Sequence, residues 1–218
     1  MYAQEFWDNI YLNHYQDAPW MDDSWKSDVY NILDSDMEKY AKKSQKPLRL
    51  LDYGCGNGHM GYYYYCKGMR VDLSDISQVL IDRLKDNYID NKGLSIMKAN
   101  TPKGLNVRYK YDVIIVWNLF HHIHPRYWNQ FVREFLEKMK KGGVMFVSGW
   151  DEDDAVVRQD HNKARFTKHP TWCINGLPDY IIDLPCKLLE SRQLVEMVPV
   201  FIVERRFRYF VIKKIEQQ

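Results

Sequence analysis

A glycine-rich turn directly after a short apolar run most constrains the fold of this 218-residue chain. The run 48–52 leads into Tyr53, and Gly54, Gly56 and Gly58 then occupy alternate positions. Glycine adopts backbone angles that are strained for other residues, and without a Cβ it lets a ligand approach main-chain N–H groups. The segment therefore predicts a buried strand that enters a cofactor-binding turn of an α/β enzyme.

Strand-like and helix-like segments alternate through the middle of the chain. The predicted strands cover 48–53, 70–74, 94–99, 113–117 and 144–148, and the predicted helices cover 60–67, 77–88 and 126–140. Such alternation requires crossover connections and favours a mainly parallel sheet with helices on both faces. Two more strands, 195–203 and 206–212, are too close for a crossover helix and predict a C-terminal antiparallel hairpin. The expected fold is an α/β three-layer sandwich with a seven-stranded sheet.

The length of the chain fits one domain with a sizeable core, 1–218, and no second domain is needed. Its parts are an N-terminal helical cap, a cofactor-binding core, an inserted substrate-side segment and a hairpin region, over 1–46, 47–150, 151–185 and 186–218. Pro19 divides the cap into two helices. The acidic run 151–154 is expected at the pocket edge, where it either forms a solvated loop or holds an amine of the substrate.

Composition argues against several classes of protein. Lys and Arg total 31 against 29 Asp and Glu, a net charge of +2, which lacks the strong positive field of a dedicated nucleic-acid binder. The most apolar run, 113–120, is much shorter than the roughly 20 residues that span a membrane. Four scattered cysteines and no visible secretion signal predict reduced thiols in a cytoplasmic protein, without disulfides or a bound metal.

Two cofactor classes use a glycine turn of this kind, and the flanking residues separate them. The run 56–61 matches the GxGxxG pattern of dinucleotide sites, but such a turn begins straight after its strand, whereas Asp52 and Gly54 intervene here. The fuller pattern over 52–58, DxGxGxG, resembles the first motif of class I S-adenosylmethionine-dependent methyltransferases, and the resemblance extends over about 48–146. It implies a Rossmann-like fold, S-adenosylmethionine as cofactor and methyl transfer as the reaction.

Two other functions stay open beside the methyltransferase. The first is a non-catalytic protein-interaction module that retains the fold, and the second, more distant one is an NAD-dependent oxidoreductase. Cofactor binding without turnover favours the module, and selective NAD binding favours the oxidoreductase.

The resemblance implies cofactor contacts after each of the first four strands. Asp75 follows Gly54 by 21 positions, where the family places the acid that accepts hydrogen bonds from the ribose hydroxyls. Asp72 is a rival inside the strand, and Asp75 or Ser77 can instead cap the next helix. The expected cofactor-binding residues are Asp52, Gly54, Cys55, Gly56, Gly58, Asp75, Ile76, Asn100, Thr101, Trp117 and Asn118.

Within this set, each group of residues has its own expected part of the cofactor. Asp52 and the glycines are expected to hold the methionyl part. Asn100 replaces an acid that meets the adenine amine in the family, and its amide oxygen can still accept that hydrogen bond. Thr101 is expected either to help there or to form a turn before Pro102. Trp117 and Asn118 follow the fourth strand, beside the methionine part, since ligands bind beyond the carboxyl ends of such strands.

The candidate catalytic residues are His121 and His122, which keep a histidine pair of the family. Histidine titrates near neutrality and can act as a general base, and the alternative is that the pair orders its loop. The near-neutral chain and its aromatic cap favour a small-molecule acceptor over nucleic acid or protein, and no membrane association is expected. The cap aromatics, among them Trp7 and Tyr11, are expected either to close over the substrate or to pack in the core.

Overall fold

The computed structural model describes residues 4–13, 27–41, 44–88, 91–154, 172–198 and 203–215. The helices are α1 (Gln4–Asn13), α2 (Ser27–Tyr40), α3 (His59–Cys66), α4 (Gln78–Asn87), α5 (Trp128–Lys138) and α6 (Leu177–Ile181). The strands are β1 (Arg49–Tyr53), β2 (Arg70–Asp75), β3 (Leu94–Lys98), β4 (Tyr111–Val116), β5 (Met139–Trp150), β6 (Cys186–Val198) and β7 (Val203–Lys214). Pro19 lies outside the described residues. Within them, no helix is both long and apolar enough to cross a membrane.

The seven strands form one sheet in the order β3-β2-β1-β4-β5-β7-β6. The first five strands run parallel, and β7 pairs antiparallel with both β5 and β6. This arrangement confirms the α/β fold and the antiparallel C-terminal hairpin. The strand order reverses between β1 and β4, and in open α/β sheets ligands bind outside the carboxyl ends of the strands at such a switch point.

Both faces of the central strands are buried, which explains their continuous apolar sequences. On β4, Ile114 and Val116 contribute to one hydrophobic cluster, whereas Val113 and Ile115 contribute to the other. The first cluster includes residues of α5 and α6, and the second includes residues of α1 to α4. The helices thus form a layer on each side of the sheet and leave the carboxyl ends of the strands as the ligand edge.

The hairpin begins earlier than the sequence predicts. β6 starts at Cys186, which pairs with Lys214, and its register with β7 continues to the pair of Val198 with Val203. The predicted strand 195–203 is therefore wrong in its bounds, as is the predicted turn between the two strands. The first half of β6 is rich in charged residues, so its sequence lacks the apolar alternation of a half-buried strand.

Tertiary contacts with α2 explain those charged residues of β6. Asp36 of α2 is buried and accepts hydrogen bonds from the Tyr209 hydroxyl, at 2.8 Å, and from Arg192. Glu190 accepts hydrogen bonds from Lys39, at 2.8 Å, and from Tyr40. The polar half of β6 is therefore the surface that fixes α2 on the sheet.

Candidate cofactor and acceptor site

The glycine turn has the backbone conformation that its sequence predicts. Gly54, Gly56 and Gly58 have φ angles of 73°, 53° and 76°. The N–H groups of Gly54 and Cys55 donate to the Ser74 carbonyl at 2.7 and 3.0 Å, which ties the turn to β2. Side chains other than glycine rarely adopt these left-handed angles, so the sequence requires glycine at each of the three positions.

The three glycines differ in what surrounds them. A Cβ on Gly54 would lie 3.0 Å from Leu119, and a Cβ on Gly58 would lie 2.9 Å from Leu73. A Cβ on Gly56 would meet no atom within 4 Å. Gly54 and Gly58 therefore allow close packing inside the protein, whereas Gly56 borders open space through which a ligand can approach the turn.

The Asp52 side chain stabilises the glycine turn through a hydrogen bond to the backbone. Its side chain is buried, and its Oδ2 accepts a hydrogen bond from the Gly61 N–H at 2.9 Å, in the first turn of α3. This contact joins the end of β1 to the start of α3 across the glycine turn. The neighbouring Cys55 is also buried, and burial raises the pKa of its thiol well above the usual value, so the thiol stays protonated.

Asp75 lies at the end of β2 and faces the same turn. Its Oδ2 accepts the Gly56 N–H at 3.3 Å, and its Oδ1 accepts the Ser77 N–H at 3.0 Å. Burial raises the pKa of this carboxyl to about 6. An ionised carboxylate accepts about four hydrogen bonds, so Asp75 keeps capacity for ligand hydroxyl groups. A nucleoside with free ribose hydroxyls fits this position.

Both alternatives for the second acid have a clear outcome. Asp72 accepts hydrogen bonds from the hydroxyls of Tyr109 and Tyr111, both at 2.7 Å, and so serves the sheet. Ser77 caps α4, since its Oγ accepts the Leu80 N–H at 3.2 Å. Ser77 therefore caps α4, and Asp75, next to the half-buried Ile76, accepts the Ser77 N–H at the same helix start; its ribose role stays a prediction.

The residues after β3 form a turn. Thr101 caps a 3₁₀ turn over Pro102–Gly104, where its Oγ1 accepts the Gly104 N–H at 3.3 Å. The side chain of Asn100 is exposed. Of the two roles open to Thr101, the structure shows the turn, while Asn100 stays accessible at the end of β3.

Trp117 and Asn118 follow β4 and are held by different neighbours. Asn118 has a φ of 51°, its N–H donates to the Ser148 Oγ at 2.9 Å, and its Oδ1 accepts from that hydroxyl at 3.0 Å. The Trp117 ring packs against Tyr209 with a centroid distance of 5.8 Å. Its buried Nε1 has no hydrogen-bond partner within the described part of the chain.

The two candidate catalytic histidines lie in a group of rings. His121 stacks on Trp150 at 4.6 Å with an interplanar angle of 9°, and its ring centroid lies 4.0 Å from that of His122. Burial lowers the pKa of His122 to about 3, so this imidazole is neutral near pH 7. Such a group orders its surroundings and accepts a hydrogen bond more readily than it accepts a proton.

Helix α1 bridges the two ends of the site through adjacent residues. Trp7 meets His122 edge-on, with ring centroids 5.0 Å apart, on the β4 side. Asp8 accepts hydrogen bonds from the Ser77 hydroxyl and, at 3.2 Å, from the Val79 N–H on the β2 side. Of the two roles left open for the cap aromatics, the structure shows packing, because Tyr11 is buried and Trp7 contacts His122; closure over a substrate stays a prediction.

The acidic run after β5 is solvated only in part, since Glu152 is exposed. Asp151 and Asp154 are completely buried. Asp151 pairs with Arg208 at 2.7 Å, and Asp154 accepts the Arg206 N–H at 2.7 Å. These carboxylates hold the loop on β7. Among the described residues, no group of three His, Cys, Asp or Glu side chains is placed to hold a metal ion.

The fold and the glycine turn together define a Rossmann-like methyltransferase fold of class I. The family comparison agrees, because the model of the methyltransferase domain matches residues 25–184. The chain therefore belongs to the methyltransferase-domain family, which confirms the family that the motifs predict.

Two curated relatives are similar over part of the chain. The ubiquinone biosynthesis O-methyltransferase of Pelagibacter ubique is 29% identical over 118 residues, 54% of this chain and 48% of that protein. The ribosomal protein L11 methyltransferase of a Nitratiruptor species is 26% identical over 129 residues, 59% of this chain and 41% of that protein. The chain spans less than half the length of either relative.

Solved structures share the fold at low sequence identity. A 1,6-didemethyltoxoflavin-N1-methyltransferase of Burkholderia thailandensis, with bound 1,6-didemethyltoxoflavin and S-adenosylhomocysteine, is 15% identical with a TM-score of 0.69, covering 97% of this chain and 88% of that one. A magnesium protoporphyrin IX methyltransferase of Synechocystis PCC 6803, with bound S-adenosylhomocysteine, is 13% identical with a TM-score of 0.64, covering 96% and 93%. These matches show a common fold.

Proposed function

We propose that this chain transfers a methyl group from S-adenosylmethionine to a small-molecule acceptor. One observation carries the proposal: the Gly56 backbone, beside open space, and the buried Asp75 carboxylate meet beyond the carboxyl ends of β1 and β2, next to the switch point of the sheet. A nucleoside cofactor needs both an accessible turn and an acid for its ribose. Two solved structures that share the fold hold S-adenosylhomocysteine, the product form of this cofactor.

The residues of this chain have separate roles in the proposal. S-adenosylmethionine supplies an electrophilic methyl group, so the protein has to bind, align and exclude water. Asp75 accepts hydrogen bonds from the ribose hydroxyls, and the exposed Asn100 amide accepts one from the adenine amine. Gly56 has no side chain, so the cofactor can approach the turn there. Asp52 stabilises the turn by its hydrogen bond with the Gly61 N–H.

The residues around the two histidines bind the acceptor in this proposal. His122 is neutral and half-buried, so it orients the acceptor by a hydrogen bond, and His121 is held by its stacking on Trp150. Trp7 of α1 covers His122 and restricts water at the reacting atoms. A general-base role for His122 would require a higher pKa than the one that burial gives it.

A small molecule is supported as the acceptor by the net charge of +2 and by the names of one relative and one protein that shares the fold. A protein acceptor is the rival, since one relative is named for the methylation of ribosomal protein L11. A cytoplasmic location is part of the same proposal, supported by four cysteines that are all free thiols.

Calorimetric titration with S-adenosylmethionine, S-adenosylhomocysteine and NAD tests the cofactor class. We expect the two adenosyl compounds to bind the folded chain and NAD to fail. Binding of NAD alone would support an oxidoreductase, and failure of both adenosyl compounds would end the methyltransferase proposal. Adenosyl binding without methyl transfer to small-molecule or protein pools, followed with a radiolabelled methyl group, would support the non-catalytic module.

A further inference from the structure

Five aromatic side chains lie near the carboxyl ends of β4 and β5, and four of them are joined by ring contacts. We call this group the aromatic wall, and its members are Trp7, Trp117, His121, His122 and Trp150. Stacking and edge contacts join Trp7 to His122, His122 to His121 and His121 to Trp150. Trp7, Trp117 and Trp150 also pack against the same hydrophobic cluster. The acceptor half of the site therefore presents ring faces and edges.

Trp117 also brings a hydrogen-bond donor, its indole N–H, to this wall. It follows Val116, which pairs with Val147 of β5, so it lies beside Ser148 and Tyr209 in the same row of the sheet. Its buried Nε1–H has no hydrogen-bond partner among the described residues. A buried donor without a partner is costly, and an indole N–H can only donate. A ligand that satisfies Trp117 must therefore offer a hydrogen-bond acceptor atom.

Two buried carboxylates near the wall are already paired with arginines. Asp36 is paired with Arg192 on the strand next to Tyr209, and Asp151 is paired with Arg208. The wall's own His122 is uncharged, because burial lowers its pKa to about 3. Aromatic faces can attract a cation, but an indole N–H repels one, and neither paired carboxylate is left to balance the charge.

We infer, on the basis of the proposed methyltransferase function, that the acceptor is an uncharged, planar aromatic molecule that bears a carbonyl or ring-nitrogen hydrogen-bond acceptor. The molecule stacks on the aromatic wall, and its acceptor atom takes the hydrogen bond from the Trp117 Nε1–H. Flat rings fill a ring-lined site with offset or edge contacts that a puckered saturated molecule cannot make.

Binding to the complex of the chain with S-adenosylhomocysteine tests this inference. Ligand-observed NMR would compare coumarin, chromone and lumichrome with the saturated octahydrocoumarin and with N,N-dimethylglycine, a charged aliphatic amine. We expect the three aromatic compounds to bind, octahydrocoumarin to bind at least roughly fivefold more weakly, and N,N-dimethylglycine not to bind.

Two variants separate the hydrogen bond from the stacking. Trp117→Phe keeps a ring and removes the N–H, and it should weaken coumarin binding roughly fivefold. Tyr209→Phe is the matched control, since it changes the neighbour of Trp117 without removing its ring, and it should leave coumarin affinity unchanged. Trp7 lies on the N-terminal helix α1, so Trp7→Ala should weaken the binding of all three aromatic compounds without unfolding the chain.

Each contrary result has a definite meaning. Stronger binding of N,N-dimethylglycine or octahydrocoumarin than of the aromatic compounds, or no binding of any aromatic compound to a chain that holds S-adenosylhomocysteine, would overturn the aromatic acceptor and leave the proposed function standing. Weaker S-adenosylhomocysteine binding in Trp117→Phe with unchanged coumarin binding would show that the indole serves the cofactor. If S-adenosylhomocysteine itself fails to bind, the proposed function fails first.

Discussion

The two halves of the candidate site are built in different ways. The nucleoside half comprises the turn 54–58 and Asp75, and its geometry comes from left-handed glycines and main-chain hydrogen bonds. The acceptor half is the aromatic wall, which gathers rings from α1, from the segment after β4 and from the end of β5. Backbone geometry fixes the first half, whereas side-chain packing from distant segments fixes the second.

This difference explains why a cofactor class can be recognised where an acceptor cannot. A turn that needs glycine at set positions leaves a local pattern in the sequence, because no other residue adopts its angles cheaply. Rings that meet only in the folded chain leave no such pattern. Substitutions in the nucleoside half should therefore act on cofactor affinity or folding, and those in the acceptor half should act on acceptor binding.

The largest effect is expected from Asp75→Ala. This change removes the carboxylate proposed to accept the ribose hydroxyls, and hydrogen bonds to a charged group contribute about 3 kcal/mol in total, so affinity for S-adenosylhomocysteine should fall roughly a hundredfold. Calorimetric titration measures this change in affinity. Asp82→Ala removes an exposed carboxylate on α4 and should leave the affinity unchanged. A loss below about fivefold in Asp75→Ala would remove Asp75 from the nucleoside half.

Local sequence signals predict the sheet, and they also predict that Gly54 and Asp75 lie at one edge of it. Alternating strand and helix patterns and the spacing of Gly54 and Asp75 are local signals, and the structure shows the parallel sheet and brings the two residues to one edge. The direction of individual side chains is a different matter. Asp52 turns towards Gly61, and Thr101 towards Gly104, through contacts that no spacing rule distinguishes from ligand binding.

The acceptor half and the first part of β6 could not be predicted from the sequence, because their structure depends on contacts between residues far apart in the chain. Trp7 and His122 are more than a hundred positions apart, and their contact depends on how α1 crosses the sheet. Glu190 and Arg192 suggest a solvated surface until α2 supplies Lys39 and Asp36 as partners. Buried Asp151 is similar, since its partner Arg208 lies on another strand.

A pair of glycine variants divides the nucleoside half into packing and access. Gly58→Ala places a Cβ 2.9 Å from Leu73 at a φ of 76°, and it should lower the free energy of unfolding by about 2 kcal/mol. Gly56→Ala meets no neighbour, so it should cost about 1 kcal/mol of stability but weaken S-adenosylhomocysteine roughly tenfold by blocking the turn. Chemical denaturation and calorimetry measure the two effects. Equal losses of stability and of cofactor affinity in the two variants would contradict the separate roles of Gly56 and Gly58.

A pH titration should affect the nucleoside half through Asp75. Its pKa is raised from 3.8 to about 6, and the ionised form accepts ribose hydrogen bonds, so affinity for S-adenosylhomocysteine should fall about tenfold between pH 7 and pH 5. His122, with a pKa of about 3, stays neutral over this range. Calorimetry at stepped pH measures the change, and Asp75→Asn should show a nearly flat profile. A flat profile in the unaltered chain would contradict the ribose role.

Folding stability should change with pH in the opposite sense. The folded chain holds the Asp75 proton more tightly than the unfolded chain, because the folded pKa is the higher one. The contribution of Asp75 to the free energy of unfolding is therefore fully present below about pH 4 and is lost as pH rises through about 6. Comparison of Asp75→Asn with the unaltered chain by denaturation isolates this contribution.

The smallest effect concerns Asp8, which connects the two halves. Asp8→Ala removes the hydrogen bonds to Ser77 and Val79 that hold α1 on α4, while Trp7 keeps its contact with His122. Asp8 is partly exposed, so we expect about 1 kcal/mol or less in stability and faster amide exchange over 4–13, measured by hydrogen exchange. Glu5→Ala, an exposed residue of the same helix, is the control. Unchanged exchange in Asp8→Ala would mean that ring packing alone holds α1 over both halves.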